Sequence, residues 1–206
     1  RSDSSAASDV YKRQLLVIGA GSGGVRAARK SAEFGAKVAV VEEAALGGTC
    51  VNVGCIPKKL YVYASEYAAA WRESAGFGWR AEDVCFDWNT LRDNKTNEIA
   101  RLNAIYARLL EAPGVDIIEG HGALAGPQEV IVGESRYRAE KILLATGTWP
   151  AMPDIPGIEL ALTSNEIFDL ERFPERLLIV GGGYIATEFA SIFSGLGATV
   201  VQSYRG

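Results

Sequence analysis

Cys50 and Cys55 stand five positions apart in Gly47-Gly48-Thr49-Cys50-Val51-Asn52-Val53-Gly54-Cys55-Ile56-Pro57-Lys58-Lys59, a segment too apolar and glycine-rich for a metal loop. In a regular helix, Cα atoms at i and i+5 lie roughly 8–9 Å apart. A disulfide needs less than about 7 Å. A bridge here therefore requires irregular backbone, which Gly54 permits. Pro57 reads as the first residue of a helix running to about Glu73. Cys55 then falls just before a helix N-terminus and near Lys58 and Lys59, a setting that favours thiolate. The pair reads as redox-active, reversibly a disulfide. Two buried, unconnected cysteines are the bland alternative. Zinc is weaker, because there is one pair only and the single histidine, His121, is distant in sequence.

Something must position this pair, and the flanking chain supplies it. Leu15-Leu16-Val17-Ile18 is a continuous apolar run, as expected of a strand buried on both faces. Gly19-Ala20-Gly21-Ser22-Gly23-Gly24 follows at once, and the residues after it read as helix. Lys37–Glu42 is the next strand, and its carboxylate Glu42 stands 23 positions after Gly19. Strand, glycine turn, helix, second strand and acid together form a dinucleotide-binding fingerprint. The glycines let backbone approach a pyrophosphate, and Glu42 takes a ribose hydroxyl pair. The cysteine segment begins within a few residues of that acid. A nicotinamide does not readily reduce a disulfide directly, whereas a flavin accepts hydride and engages sulfur, so FAD suits the first site.

Further along, Cys85 has no partner at useful spacing and reads as a structural thiol. A long helix is expected from Trp88 through Ala112, with Leu102, Ile105, Tyr106 and Leu109 as its core stripe. Pro113-Gly114 ends it. Short strands at Val115–Glu119, Ala123–Leu124, Glu129–Val132 and Arg136–Arg138 suggest a small antiparallel excursion. Lys141–Gly147 reads as a buried strand ending in a small-residue turn, and His121 as structural or offering its backbone. The Pro-rich stretch Trp149–Gly157 marks a crossing between domains, and Ser164-Asn165-Glu166 a helix start. Leu177–Val180, then Gly181-Gly182-Gly183-Tyr184-Ile185-Ala186, a helix to Gly195 and a strand at Ala198–Tyr204 repeat the first pattern. The offset that gave Glu42 now falls on Tyr204, with Arg205 next. A guanidinium in place of a repelling acid favours a 2′-phosphate, hence NADPH over NADH.

Of the 206 residues, 48% are apolar and the net charge is −4, which argues against nucleic acid as a partner. No apolar run has transmembrane length. Three cysteines and no signal peptide make the cytoplasm the expected location. Residues 1–14 match the translation of a sequencing adapter and are set aside as non-native. The chain's stop at Gly206 suggests a fragment of a longer reading frame.

From Leu15 to Gly206 the chain resembles the FAD-dependent pyridine nucleotide–disulfide oxidoreductases. The Gly47–Lys59 motif is highly specific for that class. Gly181–Ala190, the Ile105-Tyr106 pair and Arg205 point to its branch that reduces glutathione disulfide. The resemblance implies an α/β fold of three-layer ββα type. A Rossmann-like FAD-binding domain would occupy 15–156, and the first part of a second Rossmann-like, NADPH-binding domain 157–206. It implies that Cys50 attacks the substrate disulfide, that Cys55 lies by the flavin, and that Lys58 sits near flavin N5 paired with Glu188. Gly19, Gly21, Ser22, Gly23, Glu42, Gly48, Thr49, Cys50, Ala145, Thr146 and Gly147 would contact FAD, with backbone from His121 and Gly122. Gly181, Gly183, Ile185 and Arg205 would serve NADPH, with Tyr184 a lid on the nicotinamide side. Ser22, Arg29 and Tyr106 would touch glutathione. A trypanothione-reducing relative should replace Arg29 by a bulky apolar residue. Dihydrolipoamide dehydrogenase should carry an acid at Tyr204 and a glycine at Ala186. A flavin-binding scaffold without turnover is the rival from another class. The family's His–Glu acid/base pair, donated within a homodimer, is not found in these 206 residues, so the chain alone is expected to be inactive. No metal is expected.

Overall fold

The computed structural model describes residues 13–80 and 84–205. In chain order the regular elements are β1 (Arg13–Ile18), α1 (Ser22–Glu33), β2 (Val38–Glu42), α2 (Gly48–Asn52), α3 (Cys55–Ser74) and α4 (Trp88–Glu111). They continue with β3 (Asp116–Glu119), β4 (Gly122–Gly126), β5 (Glu129–Val132), β6 (Ser135–Leu144), β7 (Arg176–Val180), α5 (Tyr184–Leu196) and β8 (Thr199–Ser203). The chain divides into two compact units. One comprises residues up to Asn52 with Ala100–Trp149, the other Val53–Ile99 with the residues from Pro150 onward.

The first unit is built on a six-stranded sheet of order β3-β2-β1-β6-β5-β4. β3, β2, β1 and β6 run parallel, whereas β6, β5 and β4 form an antiparallel meander. Alternation along β1 and β2 separates two cores. Val17, Val38 and Val40 pack with Val25, Ala28 and Ala32 of α1 and with Leu110 of α4. Leu16, Ile18, Ala39 and Val41 pack with Val130, Val132 and Ala139 of the meander. A central parallel sheet is thus covered by helices on one face and by β-structure on the other, which accounts for the near-continuous apolar runs. This is the α/β, three-layer arrangement expected from the sequence.

Four details differ from expectation. The strand at Val115–Glu119 pairs parallel with β2 as β3, so it extends the parallel sheet and is not part of the antiparallel excursion. Arg136–Arg138 and Lys141–Leu144 are one strand, because neither Gly nor Pro interrupts Ser135–Leu144. That strand pairs antiparallel with β5 through its first half and parallel with β1 through its second. Leu143 and Leu144 are exposed and not buried, since the cores of this unit reach Ile142 and Ala145 but neither leucine. On the expected stripe of α4, Leu102, Ile105 and Leu109 are only half-buried, whereas Leu110 is fully buried with Tyr106 packed beside it one turn away. Most of the adapter-like leader, residues 1–12, lies outside the described residues. Arg13 and Gln14 belong to β1, and Arg13 Nη2 lies 2.8 Å from Asp116 Oδ2.

In the second unit, α5 connects the parallel pair β7–β8 and packs against α3. Its core is strongly aromatic: Tyr61, Trp88, Phe168, Phe189 and Phe193 are all buried. Tyr61 and Trp88 meet edge-on at 5.3 Å between ring centroids, a favoured aromatic geometry. Both polar tips are satisfied, Tyr61 donating to the Phe168 carbonyl and Trp88 Nε1 to that of Leu170, each at 2.7 Å. Burial, reinforced by the Asp169 charge, pushes the Tyr61 hydroxyl pKa far up. Lys95 is buried as well and pairs with Asp169. The expected helix start at Ser164–Glu166 is a 3-10 turn, Glu166–Asp169, in which Glu166 accepts hydrogen bonds from the Thr163 backbone and hydroxyl.

Candidate active site

The first unit assembles the glycine turn, the acid and the first cysteine. Gly19 has φ +100°, and a Cβ there would lie 2.3 Å from the Ala145 carbonyl oxygen. Only glycine lets β1 turn so tightly against the end of β6. Ser22 and Gly23 are exposed in the first turn of the 12-residue α1, whose N-cap is Gly21. Its first N–H groups and the helix dipole favour an anion at that end. Gly24 fills the last position of the glycine fingerprint. A Cβ on it would fall 1.8 Å from the Gly19 carbonyl oxygen.

Glu42 lies at the end of β2. Its Oε2 accepts the Ala20 backbone N–H at 2.7 Å, and its Oε1 that of Ala44 at 2.9 Å. The acid thus braces the glycine turn directly, and each oxygen keeps acceptor capacity for a hydroxyl. Beyond it the chain folds back onto the same turn. Gly47 donates to the Ala20 carbonyl at 2.8 Å. A Cβ on Gly48, where φ is +60°, would come within 2.6 Å of Gly21 Cα. Backbone therefore packs on backbone where α2 begins, and Cys50 lies two residues further along α2, with Thr49 between. Ala145 closes this region by donating to the Ile18 carbonyl at 2.8 Å, and Thr146 and Gly147 follow it exposed. His121 Nδ1 lies 2.6 Å from Glu43 Oε2, so its side chain is an exposed partner of the β2 end. Gly122 is set against Ile18 and Val41. Arg29 forms an ion pair with Glu33 at 3.4 Å, and its Nε is shielded without a hydrogen-bond acceptor.

In the second unit, Cys55 is the exposed first residue of the 20-residue α3, with Gly54 (φ −147°, ψ −116°) as its N-cap. The helix thus starts two residues before Pro57, which is tolerated inside the first turn because its missing N–H has no intrahelical acceptor. The expected backbone break does occur, at Val53-Gly54 between α2 and α3. Among the described residues no disulfide bond is present. Cys50 is half-buried, and Cys55 and Cys85 are exposed. Exposure of Cys85 removes the core role expected of a structural thiol.

Lys58, one turn along α3, meets Glu188 of α5 with Nζ 2.7 Å from Oε1. That hydrogen bond holds the Lys58 pKa above its ordinary value; burial opposes the shift, and the charges of Glu188, Cys55 and Tyr184 add to it. The predicted Lys58–Glu188 pair is therefore present. The second glycine turn sits between β7 and α5. Gly181 donates to the Ser203 carbonyl at 2.8 Å, and Gly183 is the N-cap of α5. Tyr184 and Ile185 open that helix and are both exposed. The Tyr204 ring lies over Gly182, where a Cβ would come within 2.2 Å of it. Arg205 follows, exposed.

Residues 13–205 match the family described as pyridine nucleotide-disulphide oxidoreductase. The chain belongs to that family. Among its curated relatives, the glutathione reductase of Burkholderia cepacia is 52% identical over 196 residues, covering 95% of this chain and 44% of the relative. The chloroplastic/mitochondrial glutathione reductase of Pisum sativum is 46% identical, covering 92% of this chain and 36% of the relative. The trypanothione reductase of Leishmania donovani is 43% identical, with 93% and 44% covered. The chain thus spans less than half the length of these family members. Its parallel-dominated sheet with helices is the Rossmann-like architecture that the motifs implied.

Proposed function

We propose that the full-length protein is a glutathione-disulfide reductase that uses FAD and NADPH, acts as a homodimer and works in the cytoplasm. The observation that carries this reading is the backbone contact of Gly48 with Gly21, which sets the helix bearing Cys50 directly on the glycine turn of a dinucleotide site. Such a site fits FAD. Gly21, Ser22 and Gly23 would hold the pyrophosphate at the α1 N-terminus, Glu42 the ribose, and Gly48, Thr49 and Ala145–Gly147 the remainder. Bound FAD would supply acceptance of a hydride from nicotinamide and return of the electron pair to sulfur. The chain's own residues then perform the thiol exchange. Cys50 thiolate attacks glutathione disulfide, breaking its S–S bond and releasing one glutathione thiolate. Cys55 thiolate attacks the resulting mixed disulfide, releasing the second and closing the Cys50–Cys55 bond. Lys58, kept cationic by Glu188, supports negative charge near Cys55. Tyr184 covers the nicotinamide side, while Arg29, Ser22 and Tyr106 bind glutathione.

Tyr204 and Arg205 in the second unit support NADPH and speak against a dihydrolipoamide dehydrogenase, which would carry an acid there. No helix among the described residues is long and apolar enough to cross a membrane. The decisive experiment is NADPH oxidation by the purified full-length protein with glutathione disulfide, trypanothione disulfide or lipoamide as acceptor. Glutathione disulfide is the expected preferred substrate, and Cys50→Ser and Cys55→Ser should each abolish turnover. Preference for either other disulfide, or turnover that survives both substitutions, sinks the proposal.

A further inference from the structure

Between β2 and α2 the chain is pinned by two amide side chains, one within the cysteine motif and one on α4, outside both motifs. Asn52 Nδ2, at the end of α2, donates to the carbonyls of Gly48 at 2.9 Å and Leu46 at 3.2 Å. Asn103, on α4, donates to the same Leu46 carbonyl at 2.7 Å and to Asn52 Oδ1 at 2.9 Å. Both amides thus converge on one peptide group, adjacent to Gly47, whose N–H is bonded to Ala20 of the glycine turn. Asn103 is half-buried and shares its helix face with Tyr106 and Leu110, which pack in the first core. Asparagine is a poor helix-interior residue, so packing or propensity alone does not account for it.

We propose that Asn103 is a positioning residue for Cys50. It acts through Asn52 and the Leu46 carbonyl to fix the segment that presents α2 to the glycine turn. The inference rests on the disulfide-reductase reading for its consequence, and on hydrogen bonds alone for its geometry. Losing Asn103's two donations should raise the population of displaced α2 by roughly three- to tenfold, the effect of one or two ordinary hydrogen bonds.

The test uses the full-length protein and its variants Asn103→Ala and Asn103→Asp, the second isosteric but unable to donate. The reduced proteins are treated with iodoacetamide, and peptide mass spectrometry follows alkylation of Cys50 against exposed Cys85 as internal reference. In parallel, each protein is equilibrated with oxidised and reduced dithiothreitol. There the two protein thiols lose two electrons and two protons to form the S–S bond, and the cyclic disulfide of dithiothreitol takes them up. Both variants should change the Cys50 to Cys85 rate ratio about three- to tenfold and shift the dithiol–disulfide equilibrium measurably, with circular dichroism unchanged. A ratio within about twofold of wild type in folded Asn103→Asp overturns the proposal. So does loss of folding in both variants, which would assign Asn103 to the core. If the wild type forms no Cys50–Cys55 bond, the reductase reading fails, while the alkylation ratio still decides the role of Asn103.

Discussion

Glu188 holds Lys58 one turn into the helix that Cys55 begins, and this pair makes a testable electrostatic claim. The hydrogen bond from Lys58 to Glu188 raises the lysine pKa above its ordinary 10.5. A group raised on folding contributes stability that is fully present below its unfolded pKa and is lost as pH climbs through the folded value. From neutral pH up to about pH 10 the stability difference between wild type and Glu188→Gln should therefore be constant, and above about pH 10 it should shrink. Both side chains are about one-third exposed, so the pair should contribute no more than about 0.2–1 kcal/mol. Glu188→Gln should consequently leave urea unfolding almost unchanged while lowering kcat. A large stability loss with normal turnover would make the pair structural. Spacing on either helix could not disclose this contact, since Lys58 and Glu188 are 130 positions apart; it entered the sequence reading only through resemblance. Glycines were more legible, because turn, close approach and positive φ restrict those positions whatever surrounds them. Asn52 and Asn103 left no trace, since an amide pair 51 positions apart has no local signature.

Among the elements, those bounded by glycine or proline were placed best. Strands β1, β2 and β7 are apolar runs ending in glycine turns or an acid, and α4 was delimited nearly to its ends. Boundaries set by backbone geometry were placed less well. Gly54 caps α3 three residues ahead of Pro57, and β6 runs on through a stretch that reads in the sequence as two strands. Core assignment also slipped on α4, where half-buried leucines look like a stripe and only Tyr106 and Leu110 reach the first core. Within α5 the burial is decisive. Phe193 is fully buried and meets the rings of Phe173, Trp88 and Phe189, stacking on Phe173 at 5.9 Å. Phe193→Ala should cost about 3–5 kcal/mol, from lost transfer and an unfilled cavity. Chemical denaturation of the full-length protein measures it. A loss under about 1 kcal/mol would mean that this aromatic cluster collapses around the gap or is not the core of its unit.

At the scale of the whole molecule, the two-unit division was the least legible feature. It assigns Cys50 to one unit and Cys55 to the other, and returns to the second unit at Pro150, within the Pro-rich stretch read as a crossing. Such a partition depends on long-range packing, which no local window reports. Binding gives a molecular readout of the first unit's design. A ligand that binds only the folded protein stabilises it by an amount set by its concentration relative to Kd, about 2.7 kcal/mol at 100 times Kd. FAD added to the full-length apoprotein at that excess should therefore raise its Tm. Gly48→Val tests whether the close backbone contact is what admits the cofactor. Valine would meet Gly21 Cα at a site with φ +60°, and so would push α2 off the turn or distort the turn itself. Strain lowers the variant's own Tm, so the diagnostic quantity is the increment that FAD adds to each protein. At an FAD concentration fixed by the wild-type Kd, that increment should nearly vanish in Gly48→Val. It should persist in Gly133→Val, where φ is +58° but open space surrounds the glycine, because that strain lies away from the turn. Equal increments in wild type and Gly48→Val would show that FAD binding does not depend on the Gly48–Gly21 contact. No increment in wild type would remove FAD from this site altogether.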